Sequence, residues 1–237
     1  MSSRRLPGKV MLDLNGKPVL RWVVDRCRAS RLASGVIVLT STEREDDAIA
    51  LYCSEANIPC FRGALDDVVA RFFEATMEQD EDSFIRITAD CPLIDPIVID
   101  AVILNGVANK LDYTGIVGDF PDGLDCTFFS KKAITETNLR ANKAYQREHI
   151  GQYIEENRRQ FRCGGIEIFS GLADVRITLD EEQDFKLLKL LTAELQPDDF
   201  STVDILAILE KQPALREINA NIVRNEGLLI TKVEKRD

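Results

Sequence analysis

Two short apolar runs end in a carboxylate: Phe84-Ile85-Arg86-Ile87-Thr88-Ala89-Asp90 and Val175-Arg176-Ile177-Thr178-Leu179-Asp180. Carboxylates delivered from two strand ends can anchor one or two Mg²⁺ ions, which neutralise a triphosphate and stabilise charge on a departing pyrophosphate. The opening run Ser2-Ser3-Arg4-Arg5-Leu6-Pro7-Gly8-Lys9 supplies the matching cations. Arg4 and Lys9 can each hold a phosphate oxygen, the Ser2 and Ser3 hydroxyls and local amides can add donors, and Pro7-Gly8 shapes a turn that lets backbone approach an anion. With Arg4, Lys9 and Asp90 as catalytic candidates and Asp90 and Asp180 as metal ligands, the reaction needs no side-chain nucleophile.

Each piece also has a plain structural reading. The opening run alone would make a solvated basic terminus, Asp90 an Asp-x-Pro turn, and Asp180 a helix cap ahead of the first-turn acids Glu181 and Glu182. Their occurrence together is more specific than any one of them. Further candidates are Thr40 and Ser41, which could bond a base edge, and Asp122 and Asp125 in Pro121-Asp122-Gly123-Leu124-Asp125, which could meet a sugar hydroxyl. Arg147 and His149, the one histidine of the chain, could reach an acceptor from a helix.

The elements that must position these residues are legible as periodicity. Val36 to Leu39 and Phe84 to Ile87 read as buried strands running into polar loops, and Ile58 to Arg62 as a short peripheral strand. Helical spacing covers Leu20 to Ala29, Asp46 to Asn57, Asp66 to Glu78 with Asp66 as cap, and Pro96 to Lys110. Beyond residue 112 the pattern predicts strands at Cys126 to Phe129, Arg162 to Phe169 and Val175 to Leu179. Helices follow at Gln146 to Glu156, Glu181 to Leu195 and Ser201 to Gln212, and the tail Lys232 to Asp237 reads as charged and frayed. Strand and helix alternation implies an α/β fold, an open and mostly parallel sheet with flanking helices, whose strand ends line one edge.

The chain has 237 residues and reads as one domain, with 1–111 as the nucleotide-binding part and 112–237 as the sugar-binding part carrying the second metal ligand. Its net charge of −10 repels nucleic acid and anionic membrane surfaces, so an anionic ligand needs a local cationic pocket. No apolar run in the given sequence suits a membrane span or a signal peptide, so a cytoplasmic protein is the expectation. The six cysteines are scattered, with no Cys-x-x-Cys pair, and fit reduced thiols rather than a structural zinc site.

With these residues assembled, the chain resembles the cytidylyltransferase family typified by spore coat polysaccharide biosynthesis protein SpsF. That family is related to the enzymes that activate 3-deoxy-manno-octulosonate and acylneuraminates. The resemblance runs through Ser3 to Lys9, Asn15-Gly16-Lys17-Pro18, Thr40-Ser41-Thr42, Phe61-Arg62-Gly63 with Asp66-Asp67-Val68, and Arg86 to Ile94. It continues through Phe120 to Asp125, Arg147-Glu148-His149, and Arg176 to Asp180 before Asp184-Phe185. It implies a nucleotide-diphospho-sugar transferase fold (GT-A/Rossmann-like) and transfer of CMP from CTP to a sugar acid, with release of pyrophosphate.

By the same resemblance Arg4, Arg5 and Lys9 bind the triphosphate and Asp90 and Asp180 hold Mg²⁺. Asp122, Asp125, Arg147 and His149 are sugar-side candidates, and a homodimer is expected. Relatives begin with a hydrophobic strand and a Gln-Ala-Arg segment ahead of the position matching Met1. The sequence as given carries neither, so the expectation is that the true start lies upstream or that the chain is truncated and weakly active or inactive. Two other readings stay open: glycosyl transfer from a nucleotide sugar, and a nucleotide-binding subunit without catalysis.

Overall fold

Short strands alternate with amphipathic helices through most of the chain. The computed structural model describes residues 5–197 and 199–224. A 3-10 turn at Lys9–Met11 leads into a small antiparallel hairpin, β1 (Asp13–Leu14) and β2 (Lys17–Pro18), turned by Asn15 and Gly16 at positive φ. Next come α1 (Val19–Arg28), β3 (Val38–Ser41), α2 (Asp47–Glu55), β4 (Cys60–Gly63), α3 (Val68–Met77), β5 (Ser83–Ile87) and α4 (Pro96–Ala108). The second half holds β6 (Tyr113–Gly115), β7 (Cys126–Ser130), α5 (Lys131–Arg140), α6 (Ala144–Glu148), α7 (Gln152–Glu156), α8 (Glu182–Glu194) and α9 (Thr202–Lys211).

β3 and β4 pair in parallel, from Val38 opposite Cys60 to Ser41 opposite Gly63, with α2 as the crossover that parallel neighbours need. β5, β7 and β6 form an antiparallel sheet in that order. The fold is α/β, as expected, with parallel and antiparallel pairing both present. The strands expected over 162–169 and 175–179 are reduced to parallel bridges, Tyr113 with Cys163, Ile116 with Ile166 and Asp122 with Arg176. Two further boundaries differ. The helix expected from Asp66 starts at Val68, where the Asp67 carboxylate accepts from the Ala70 amide at 2.8 Å and so takes the cap. The helix expected over 146–156 is split into α6 and α7 at His149, whose φ of −113° and ψ of 89° leave the helical region.

The main core gathers Trp22, Leu93, Ile94, Ile99, Leu124, Ile177, Leu179 and Leu188, all buried. Trp22 donates its indole N–H to the Leu14 carbonyl at 2.7 Å, and buried Arg26 donates to the carbonyls of Ile94 and Phe200, tying α1 to the starts of α4 and α9. All six cysteines are free thiols. Burial pushes Cys27 and Cys53 up to about 12, so they serve as small apolar side chains. Among the described residues no helix is long and apolar enough to cross a membrane.

Candidate active site

The chain enters the site through Gly8, which holds φ 71° ahead of the Lys9–Met11 turn. A side chain there would strain this left-handed backbone, so Pro7-Gly8 aims Lys9 inward. Asp90 follows β5 in a tight turn closed by the Cys91 amide on the Thr88 carbonyl. The Asp90 carbonyl in turn accepts from the Leu179 amide at 2.8 Å and from the Thr178 hydroxyl at 3.1 Å. That backbone stitch sets the two carboxylates side by side, although 90 and 180 are far apart in sequence.

Lys9 joins them. Its Nζ lies 2.8 Å from Asp90 Oδ2, 2.9 Å from Asp180 Oδ1 and 2.7 Å from the Leu179 carbonyl oxygen. Burial alone would lower the Lys9 ammonium, but the two carboxylates outweigh it and hold its pKa above the ordinary lysine value. Burial likewise opposes ionisation of Asp180, yet Lys9, Arg176 and Arg5 hold its carboxyl below the usual range. Arg5 reaches Asp180 at 3.1 Å and Glu181 at 3.4 Å. The cationic opening run and the two acidic strand ends thus meet at one place.

The donor set suits a hard divalent cation. Two carboxylate oxygens and a carbonyl converge on a point where the Lys9 ammonium now stands in for a cation. Mg²⁺ takes oxygen ligands and is commonly held by one or two carboxylates, with phosphates and water completing its shell. Among the described residues no three His, Cys, Asp or Glu side chains cluster for a metal, so a bound phosphate would have to supply further ligands.

Behind this cluster stands Arg176, a residue that sequence reasoning did not single out as functional. It is buried and donates to Asp180 and to both oxygens of fully buried Asp184, each at 2.9 Å, and it also bonds Asp122. Asp184 accepts in addition from the amides of Asp180 and Glu181 and from Asn219, closing a capping box at the start of α8. The available signal was a guanidinium inside an apolar run, which must find carboxylates if it is buried. Arg86 is a second such residue: burial holds its guanidinium below the ordinary value despite Asp90 nearby.

Asp122 and Asp125 lie beside the cluster on the loop that bridges to Arg176. Gly123 there has φ +113°, and an added Cβ would stand 2.7 Å from the Ile177 carbonyl carbon. Burial, then the neighbouring Asp125 charge, pushes the Asp122 carboxyl up to about 6 against the pull of Arg176 and Arg224. Asp125 faces Arg224 at 3.2 Å.

The other candidates are placed elsewhere. The Thr40 and Ser41 hydroxyls both donate to Asp46, at 2.9 and 2.6 Å, and Ser41 adds its amide at 3.0 Å. Burial opposes ionisation of Asp46, and these bonds are among the interactions that hold its carboxyl below the usual range. Arg147 clamps Asp67 with bonds of 2.7 to 3.0 Å and reaches Asn138, tying α6 to the cap of α3. His149 is half-buried at the end of α6. Ser3 and Arg4 lie outside the described residues.

The family pattern described as Cytidylyltransferase matches residues 1–226. The chain is 26% identical over 221 residues to the spore coat polysaccharide biosynthesis protein SpsF of Bacillus subtilis, covering 90% of this chain and 92% of that one. It is 30% identical over 212 residues to the 3-deoxy-manno-octulosonate cytidylyltransferase of Chloroherpeton thalassium, with 81% of each covered. In three dimensions it matches a cytidylyltransferase from Leptospira borgpetersenii with a TM-score of 0.86 at 28% identity, covering 94% of both chains. On these grounds the chain belongs to the cytidylyltransferase family.

Proposed function

We propose that this protein transfers CMP from CTP to a hydroxyl of a sugar acid, for surface polysaccharide or glycan assembly. The observation that carries this reading is the convergence of Arg5, Lys9, Asp90 and Asp180 on one cation-sized point beside a loop of further acids. In the reaction the acceptor oxygen attacks the α-phosphorus, a new P–O bond forms, the α–β anhydride bond breaks, and pyrophosphate leaves while the hydroxyl proton passes to water.

Lys9 and Arg5 bind and orient the β- and γ-phosphates, with Arg4 as a third cation of the same run. Asp90 and Asp180 would hold Mg²⁺, which supplies charge neutralisation on the phosphates when bound. Arg176 fixes the orientation of Asp180. Asp122 and Asp125 face the acceptor, with Arg147 and His149 as more remote sugar-side candidates, and Thr40 and Ser41 border the base. Residues 1–111 form the nucleotide part and 112–237 the sugar part of a single domain. The reading also includes a cytoplasmic homodimer.

The test is pyrophosphate release with CTP, UTP, GTP and ATP, each against a panel of sugar acids and neutral sugars. Release that requires CTP and an acidic sugar supports the reading. Release with sugar phosphates only, or hydrolysis of a nucleotide sugar without use of CTP, rejects it.

A further inference from the structure

The helix α4 is apolar on two opposite sides. On the inner side Val98, Ile99 and Val102 are buried, and Gly106 lets the helix settle onto β7, since an added Cβ there would stand 2.6 Å from the Phe128 ring. A surface helix ordinarily turns polar side chains the other way. Here Ile97, Leu104 and Val107 are 69%, 61% and 57% exposed, and Ala101 and Ala108 complete the same outer face. Exposed Leu32 adjoins it, because its amide bonds Asp100 of the helix at 3.1 Å.

Ile97, Ala101, Leu104 and Ala108 follow one another at intervals of four, three and four residues, the spacing of a helix-packing seam. Along that seam large and small side chains alternate. The alternation is symmetric about the helix midpoint: 97 and 108 lie equally far from it, and so do 101 and 104. Two copies laid antiparallel across a twofold axis therefore bring Ile97 against Ala108 and Ala101 against Leu104, a large residue meeting a small one at every contact. A parallel pair would set Ile97 on Ile97 and Ala101 on Ala101, crowding one level and leaving a gap at the next. A partner of different sequence has no need of this symmetry, whereas a second copy requires it.

Charge points the same way. At a net charge of −10, two copies repel wherever their acids face one another. The only ionisable side chain of α4 is Asp100, at the flank of the seam. Its carboxylate already accepts from the Ser30 hydroxyl and from the amides of Arg31 and Leu32. The seam itself is uncharged, so it is a place where copies of an acidic chain can meet.

We propose that the outer face of α4 is a homodimer interface, in which two copies pack this helix antiparallel across a twofold axis, Ile97 against Ala108 and Ala101 against Leu104. It gives the homodimer of the reading above a definite surface and is independent of cytidylyl transfer. A 13-residue helix is about 20 Å long, so the pair with Leu32 at its edge belongs to the small interfaces, below roughly 1,200 Å² in total. The dimer is accordingly a weak, exchanging one.

Sedimentation velocity of the full chain from about 1 to 200 µM reads the association. Wild type should pass from monomer to dimer within that range. Leu104→Glu and Ala101→Leu should each weaken the dimer at least tenfold while circular dichroism stays unchanged, since both positions lie on the outer face. Ala101→Leu combined with Leu104→Ala restores a large residue opposite a small one at both contacts and should return most of the lost affinity. A wild-type chain that stays monomeric, a dimer indifferent to Leu104→Glu, or a double variant no tighter than Ala101→Leu alone overturns the proposal. In the second case a homodimer exists through another face, and none of the three outcomes bears on the use of CTP, which pyrophosphate release tests separately.

Discussion

Lys9→Met removes the cation held between Asp90 and Asp180. The two carboxylate oxygens each lie within 2.9 Å of Nζ, so they are about 6 Å apart or closer, with the Asp90 and Asp180 side chains 25% and 23% exposed. At that separation and an effective dielectric near 20, two negative charges repel by ~3 kcal/mol. Partial exposure reduces this, and the metal-free variant should lose about 1 to 3 kcal/mol, or roughly 3 to 10 °C in Tm for a chain of this size. Mg²⁺ should bind the variant more tightly, because it no longer displaces an ammonium. A tenfold gain corresponds to ~1.4 kcal/mol. Scanning calorimetry with and without millimolar Mg²⁺ reads both effects, and Asp90→Asn added to Lys9→Met should restore the metal-free Tm. An unchanged Tm with no larger Mg²⁺ response than wild type would refute the shared-cation geometry.

Other consequences follow from the same network. Arg176→Leu leaves buried Asp184 without its guanidinium and should cost about 3 to 5 kcal/mol in urea unfolding, more than loss of any surface ion pair. The Asp122 carboxyl titrates near 6, above its unfolded value, so the folded state binds the proton more tightly. Its ionisation therefore withdraws stability as pH rises from its unfolded value near 4 through about 6, by up to about 3 kcal/mol in all. Asp122→Asn should flatten that part of a stability–pH curve. Asp180 and Asp46 are shifted downward instead, so their stabilisation is present above the ordinary carboxylate range and is lost only as pH falls below it. Gly123→Ala should destabilise by at least ~1 kcal/mol, since both its positive φ and the Ile177 backbone oppose a Cβ; circular dichroism melting checks it.

The pairing of Asp90 with Asp180 was legible because each ends an apolar run, and the cationic opening run was legible from composition. Their meeting depends on the Asp90 carbonyl accepting from Leu179 and Thr178, a contact with no local sequence signal. Capping explains why Asp67 rather than Asp66 opens α3, since the two are equivalent in type and only the register of the turn separates them. The runs at 162–169 and 175–179 have strand-like composition but make only isolated bridges in parallel with 113, 116 and 122. Arg176 reads as a surface arginine of a strand until the buried Asp184 that receives it is known. Thr40 and Ser41 were expected at a base edge by position alone, and both hydroxyls are bonded to Asp46.

Titration calorimetry of Mg²⁺·CTP onto the wild-type chain and onto Asp90→Asn and Asp180→Asn goes to the heart of the site. Saturable binding by wild type that requires Mg²⁺ and weakens at least tenfold in each variant, with folding retained by circular dichroism, is the expected result. Equal affinity in all three proteins, or wild-type affinity unchanged when Mg²⁺ is chelated, would contradict a metal–triphosphate site at Lys9, Asp90 and Asp180.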